Sequence, residues 1–202
     1  THSELIISQL NDGLYARAFQ KQNFVIIDIG ANAGFFSIWA QDRASRTFAV
    51  EASPYNYQVL KVFTEPFTSI KTVKAALCGQ DGPVEFNLSA DPTCNSLQER
   101  GGLKVTVDGV TIETLLDQHH IKYCDVVKCD IEGSEMIALT RETLTPVADR
   151  IGFWFVEVHQ TDTTPWPGNL QQNRADLANI FLDLGYQVEL VVHDQLLAWK
   201  MK

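Results

Sequence analysis

The sequence predicts an α/β fold, a doubly wound and largely parallel sheet, on three observations. Continuous β-branched apolar runs alternate with helix-period stripes along nearly the whole chain. A glycine-containing turn, Asp28 to Gly34, leads straight from the first run into a helical pattern. The 202 residues, 45% hydrophobic and 20% charged, suit a globular chain that buries roughly 70% of its unfolded surface without disulfide staples. Strands separated by helices make βαβ units, which close into such a sheet.

Element by element, Phe24 to Ile29 reads as a parallel strand covered on both faces. Ala33 to Ala44 follows as a helix with Phe36, Trp39 and Ala40 on one stripe. Thr47 to Glu51 is the second strand, and Pro54 opens a helix whose apolar face carries Val59, Leu60 and Phe63. Ser69 to Ala76 is the third strand. Residues 83–107 hold two strand-like runs, Val84 to Leu88 and Lys104 to Val107, around a polar loop, and read as an inserted β-hairpin with Asn95 and Ser96 placed to close over a ligand. His119 and His120 end a helix. Asp125 to Asp130 is the fourth strand of the main sheet, followed by a helix from about Ser134, and Gly152 to Val158 is the fifth. A helix from about Leu170 to Leu184 stops at Gly185. Tyr186 to Val192 and Gln195 to Met201 lie too close together for a helical crossover, so one of them runs antiparallel to its neighbour. With residues 1–22 as an N-terminal helical segment, the whole of 1–202 is expected to form one domain.

Charge and cysteines bound the setting. Lys and Arg number 16 against 25 Asp and Glu, a formal net charge of −9, without the basic cluster that a nucleic-acid partner requires. Four cysteines without a CxxC pair suit a reduced, cytoplasmic protein with buried thiols. No run of 18 apolar residues suggests a membrane span, and the first residues lack the features of a signal peptide. A start at Thr1 rather than Met fits a fragment of a longer chain.

The first turn points to chemistry. Ligands of open α/β sheets bind at strand carboxyl ends. Gly30 allows close backbone approach there, and Gly34 lets the helix start tight against its strand. A dinucleotide fingerprint needs glycine at Asn32 and Phe35, which argues against a nicotinamide-dependent oxidoreductase as the alternative enzyme. Asp28 places a carboxylate where a diphosphate would be repelled. Glu51, about 20 residues on at the second strand tip, suits hydrogen bonding to ribose hydroxyls. Together these features describe a nucleoside with a positive, phosphate-free arm, and S-adenosylmethionine fits. A nucleoside-binding domain without activity is the non-enzymatic alternative.

Four blocks in order, Asp28 to Ser37, Glu51 to Asn56, Lys128 to Glu135 and Glu157 to His159, resemble those of FkbM-family methyltransferases, over about Asn23 to Lys202. The resemblance implies a seven-stranded Rossmann-like sheet of order 3-2-1-4-5-7-6 with strand 7 antiparallel. It also implies S-adenosylmethionine as cofactor and O-methylation of a sugar or natural-product hydroxyl, hence a small-molecule or glycan acceptor. Ala52 departs from the family, which commonly has Pro after the acid. Expected cofactor contacts are Asp28, Gly30, Ala31, Asn32, Gly34, Glu51, Ala52, Ser53, Ala76 and Asp130. Asp130, at its strand tip, serves the methionine arm or the acceptor.

Methyl transfer to a hydroxyl profits from a base, and Asp130, Glu132, Glu157 and His159 are the candidates near the reacting centre. His159 is put forward as the base because an unperturbed imidazole accepts a proton at neutral pH, with Asp130 and Glu132 beside it. Glu135 suits either catalysis or helix-start charge complementarity. Lys128 shares a side of the sheet with Asp130 and is paired here with Glu157. Carboxylate and imidazole ligands from Asp130, Glu157 and His159 make a divalent metal chemically feasible, but no ligand spacing demands one and none is expected. Trp166, between Pro165 and Pro167, either stacks on the acceptor or packs its loop.

Overall fold

The computed structural model describes residues 18–19, 22–89, 94–98, 102–160, 169–191 and 194–200. The expected helical segment within 1–22, the tip of the inserted loop and the Trp166 loop lie largely or wholly outside these residues. In chain order the elements are β1 (Phe24–Ile29), α1 (Phe35–Ala40), β2 (Ala44–Glu51), α2 (Pro54–Thr64), β3 (Ile70–Lys74), β4 (Ala76–Leu77), β5 (Gly82–Leu88) and β6 (Leu103–Val110). There follow α3 (Ile112–Gln118), β7 (Cys124–Cys129), α4 (Glu135–Ala138), α5 (Arg141–Leu144), β8 (Ile151–Glu157), α6 (Leu170–Asp183), β9 (Gln187–Leu190) and β10 (Gln195–Trp199).

Among the described residues, seven strands form one sheet in the order β3-β2-β1-β7-β8-β10-β9. Counted within this sheet, that is the 3-2-1-4-5-7-6 order expected, and β10 runs antiparallel to both β8 and β9. The strand order reverses between β1 and β7, which pair in parallel, so the carboxyl ends of β1, β2, β7 and β8 open on one edge.

Alternation along the central strands explains their apolar composition. Ile27, Val127, Trp154 and Leu196 face one side and join a large core with Leu115 and Phe181, from α3 and α6. Ile26, Val126, Phe155 and Leu197, each one residue away, face the other side with Phe36 and Ala40 of α1. Both faces are covered, so both registers must be apolar.

Helix ends follow local chemistry. Ser53 Oγ accepts from the Asn56 amide and Pro54 takes the first turn of α2, while Asn169 Oδ1 caps α6 by accepting from the Gln172 amide at 2.8 Å. Gly185, at φ 82°, ends the α6 segment. His119, at the α3 C-terminus, stacks on Phe48, with ring centroids 5.1 Å apart. Partial burial and the adjacent Lys71 lower its pKa.

A second sheet, β4-β6-β5, sits after β3. The run read as one strand to Ala76 divides at Ala75: Ile70–Lys74 pairs with β2, whereas Ala76–Leu77 pairs with β6. The four cysteines are free thiols, with Cys78, Cys124 and Cys129 buried and Cys94 half-buried. No helix among the described residues is long and apolar enough to cross a membrane.

Candidate active site

The turn after β1 is built by backbone conformation. Gly30, Asn32 and Gly34 have φ of 73°, 51° and 86°. The Gly30 and Ala31 amides each donate to Val50 O at 3.0 Å, tying the turn to β2. A Cβ on Gly30 would lie 1.7 Å from the Asp130 carbonyl oxygen, and one on Gly34 would lie 2.7 Å from Leu60 Cδ1. The close approach at Gly30 is therefore to the neighbouring β7 exit. Asp28, wholly buried behind the turn, accepts a hydrogen bond from Ser37 Oγ at 2.7 Å. Burial raises its pKa against the opposing pull of Lys128 and Ser37.

Glu51 ends β2. Its two carboxylate oxygens accept from the Asn32 amide at 2.8 Å and the Ser53 amide at 2.7 Å. A carboxylate has about four acceptor sites, so each oxygen retains one for a ligand hydroxyl. Burial raises the Glu51 pKa to about 7, although the Ser53 and Asn32 amides pull it down. Asp28 to Asn32, Glu51, Ala52 and Ala76 line an open cleft together with Asp130 and Glu132.

Across the cleft, the exits of β7 and β8 gather charge. Lys128 Nζ lies 3.2 Å from Asp130 Oδ2 and 3.9 Å from Asp28 Oδ1. This corrects the expected pairing with Glu157, which instead faces His159 Nε2 at 3.8 Å. Glu132 and Gly133 turn the chain with φ of 54° and 94° before α4. Glu135, fully buried, accepts from the Ile131 amide and lies 3.1 Å from His159 Nδ1. His159 is held from the other side by Asn173 of α6, whose side-chain amide donates to its carbonyl at 2.9 Å.

Two features of the structure bear on the base role expected of His159. Asp130 and Glu132 line the cleft, whereas His159 does not line it and stands 4.0 and 3.8 Å from their carboxylates. Burial lowers its pKa, but Glu135, through charge and hydrogen bond, and then Asp130 and Glu132 outweigh that and raise it to about 10. Glu157 is raised to about 7 by burial first and then by Asp130, with Lys128 opposing.

Residues 28–188 match the sequence profile of the methyltransferase FkbM domain, which is most of the chain. The chain belongs to the FkbM methyltransferase family. A search of curated proteins found no significant match. The fold of this FkbM domain resembles the methyltransferase FkbM of Methylobacillus flagellatus KT, with a TM-score of 0.61 and 18% identity over 88% of this chain and 44% of that one. The chain thus spans less than half the length of that relative. It also resembles the precorrin-6y C5,15-methyltransferase of Geobacter metallireducens GS-15, at TM-score 0.55 and 17% identity, over 94% of this chain and 87% of the other. The fibrillarin of Aeropyrum pernix, solved with natively bound S-adenosyl-L-methionine, superposes with TM-score 0.53 at 14% identity over 89% of this chain and 66% of that one. At these identities the likeness shows the fold.

Within the FkbM domain, two expected cofactor residues stand back from the cleft. Ser53 caps α2 and steadies Glu51 through its amide, and Gly34 packs on Leu60 and Thr64. Sequence reasoning missed Phe35, Phe86, Leu97 and Ser134 as lining residues. Phe35 follows Gly34 directly and is large and apolar, its one signal in the sequence; the structure leaves it exposed. Ser134 reaches the cleft through a contact with Ser96 that no local pattern announces: the two hydroxyl oxygens are 3.1 Å apart.

Proposed function

We propose that this FkbM domain transfers a methyl group from S-adenosylmethionine to a hydroxyl of a small-molecule or glycan acceptor. The reading also places it in the cytoplasm, without a nucleic-acid partner. The observation that carries it is the position of Glu51, with both oxygens anchored by backbone amides, in the same cleft as the Gly30 turn and Asp130. Ribose hydroxyls donating to Glu51 would orient the nucleoside along the turn. The methionine arm would then extend toward the carboxyl end of β7.

A sulfonium there meets a field set by Asp28, Asp130 and Glu132, partly neutralised by Lys128, where a diphosphate would meet repulsion. Methyl transfer is an in-line displacement in which the acceptor oxygen attacks the methyl carbon and sulfur leaves as a neutral thioether. Holding the reactants in line supplies up to about 7–11 kcal/mol in favourable cases. Asp130 and Glu132, as cleft-lining carboxylates, are the groups in reach of the acceptor's proton. His159 stands beside them, at 4.0 and 3.8 Å. Asn32 and Phe35 weigh against the nicotinamide alternative, since neither provides the glycine that a pyrophosphate turn requires.

Calorimetric titration with S-adenosylhomocysteine tests the reading. Saturable binding is expected, weakened about tenfold or more in Glu51→Ala, the loss of one charge-assisted hydrogen-bond pair. Absence of heat in the unaltered protein would remove the cofactor assignment.

A further inference from the structure

Lys128 lines the cleft together with Asp28, Asp130 and Glu132, and among the described residues that line it no other side chain is cationic. Asp28 and Lys128 are direct partners in the pairing of β1 with β7, and Asp130 follows Lys128 after one intervening residue. All three side chains therefore leave the sheet on the same face. Lys128 Nζ stands between the two acids, 3.2 Å from Asp130 Oδ2 and 3.9 Å from Asp28 Oδ1. Asp28 Oδ1 is buried and accepts no hydrogen bond among the described residues, so it acts on Lys128 by charge. The result is a row of alternating sign at the carboxyl ends of neighbouring strands: acid, ammonium, acid.

Backbone amides at strand ends often seat anions, but here they are largely committed to the fold. In the β1 turn the Gly30 and Ala31 amides donate to Val50 O, the Asn32 amide to Glu51 and the Gly34 amide to Ala31 O. At the β7 exit the Asp130 amide donates to Ile29 O, the Ile131 amide to Glu135 and the Ser134 amide to Ile131 O. An anion seated beside the row therefore relies on a side chain, and Lys128 is the one with the right sign. The methionine arm of S-adenosylmethionine ends in an ammonium and a carboxylate on one carbon. Asp28 and Asp130 repel that carboxylate and Lys128 repels that ammonium, so a row of alternating sign accepts the zwitterion in one orientation.

We propose that Lys128 receives the α-carboxylate of the cofactor's methionine arm while the flanking acids receive its ammonium. The row is then a selector for an intact amino-acid head, and Lys128 is its specificity-determining residue. This inference rests on the S-adenosylmethionine reading and adds to it the group that tells this nucleoside from relatives without a carboxylate.

The test compares S-adenosylhomocysteine with its decarboxylated analogue, which keeps the ammonium and lacks only the carboxylate, by calorimetric titration. The unaltered protein is expected to prefer S-adenosylhomocysteine by about tenfold or more. In Lys128→Met that preference should fall by about tenfold or more, with the analogue bound as tightly as before or more so, and Lys128→Arg should restore it. The ratio of the two affinities is the readout, because a merely structural loss weakens both ligands alike. Where Lys128→Met does not fold, the double variant Lys128→Met, Asp28→Asn removes the charges as a pair and carries the same comparison. Equal affinity of the unaltered protein for both ligands, or a preference that survives the loss of Lys128, overturns the proposal and leaves the cofactor reading standing. Binding of neither ligand to the unaltered protein sinks the cofactor reading and the proposal with it.

Discussion

Two residues show how far identity alone carries. Gly30 was legible as a position of close approach, but its neighbour is the Asp130 carbonyl and not a ligand atom. Gly30→Ala forces a Cβ to within 1.7 Å of that oxygen at φ 73°. The β1 and β7 exits must then separate, so the variant should lose about 3 kcal/mol or more of stability, read by urea denaturation. A loss within about 0.5 kcal/mol would mean that the turn relaxes freely. Glu51 was legible as an acid at a strand tip, whereas its pKa of about 7 depends on burial that only the folded chain provides. The ionised carboxylate is the form that accepts both ribose hydroxyls. Affinity for S-adenosylhomocysteine should therefore rise, by up to about tenfold, between about pH 6 and about pH 8. Glu51→Gln should flatten that profile. The sign for folding is opposite: a raised carboxyl pKa contributes stability below its unfolded value of 4.5 that is lost as pH rises through about 7. A calorimetric series over this range checks the binding claim.

At the scale of elements, the strands were read closely and the connections less so. The Phe24–Ile29 strand matches its reading because burial on both faces leaves an unbroken apolar run. The first helix is shorter than the Ala33 to Ala44 pattern suggested. Asn32 and Gly34 hold left-handed conformations before it, and β2 starts at Ala44 after it. The small sheet acts on the cleft through the segment Asn95–Gln98. There Ser134 Oγ accepts from the Leu97 amide at 3.0 Å, and Gln98 donates to the Gly133 carbonyl. Asn95 and Leu97 line the cleft, so this segment roofs part of it. Ser134→Ala leaves the Leu97 amide without that acceptor, at a cost of about 1–3 kcal/mol, and should weaken S-adenosylhomocysteine binding by roughly tenfold. Unchanged affinity would show that the segment does not cover the cofactor.

For the whole molecule, strand order decides what meets what. β1, β7 and β8 are neighbours in the sheet, so Asp28, Asp130 and the β8 exit at Glu157 open on one edge although they lie far apart in the chain. The net charge of −9 acquires a local meaning there, since several of these acids surround one imidazole and one ammonium. The sequence by itself determined the fold class, the Gly30 turn, the acids at the strand tips and the antiparallel end of the sheet. Each follows from a local period or a local backbone requirement. Only the tertiary structure decided that Lys128 belongs to Asp28 and Asp130, that His159 is held by Glu135, and that Ser134 anchors the roof of the cleft. Those outcomes depend on distances between separate strand exits and on the burial that packing imposes. Residue spacing along a chain carries neither.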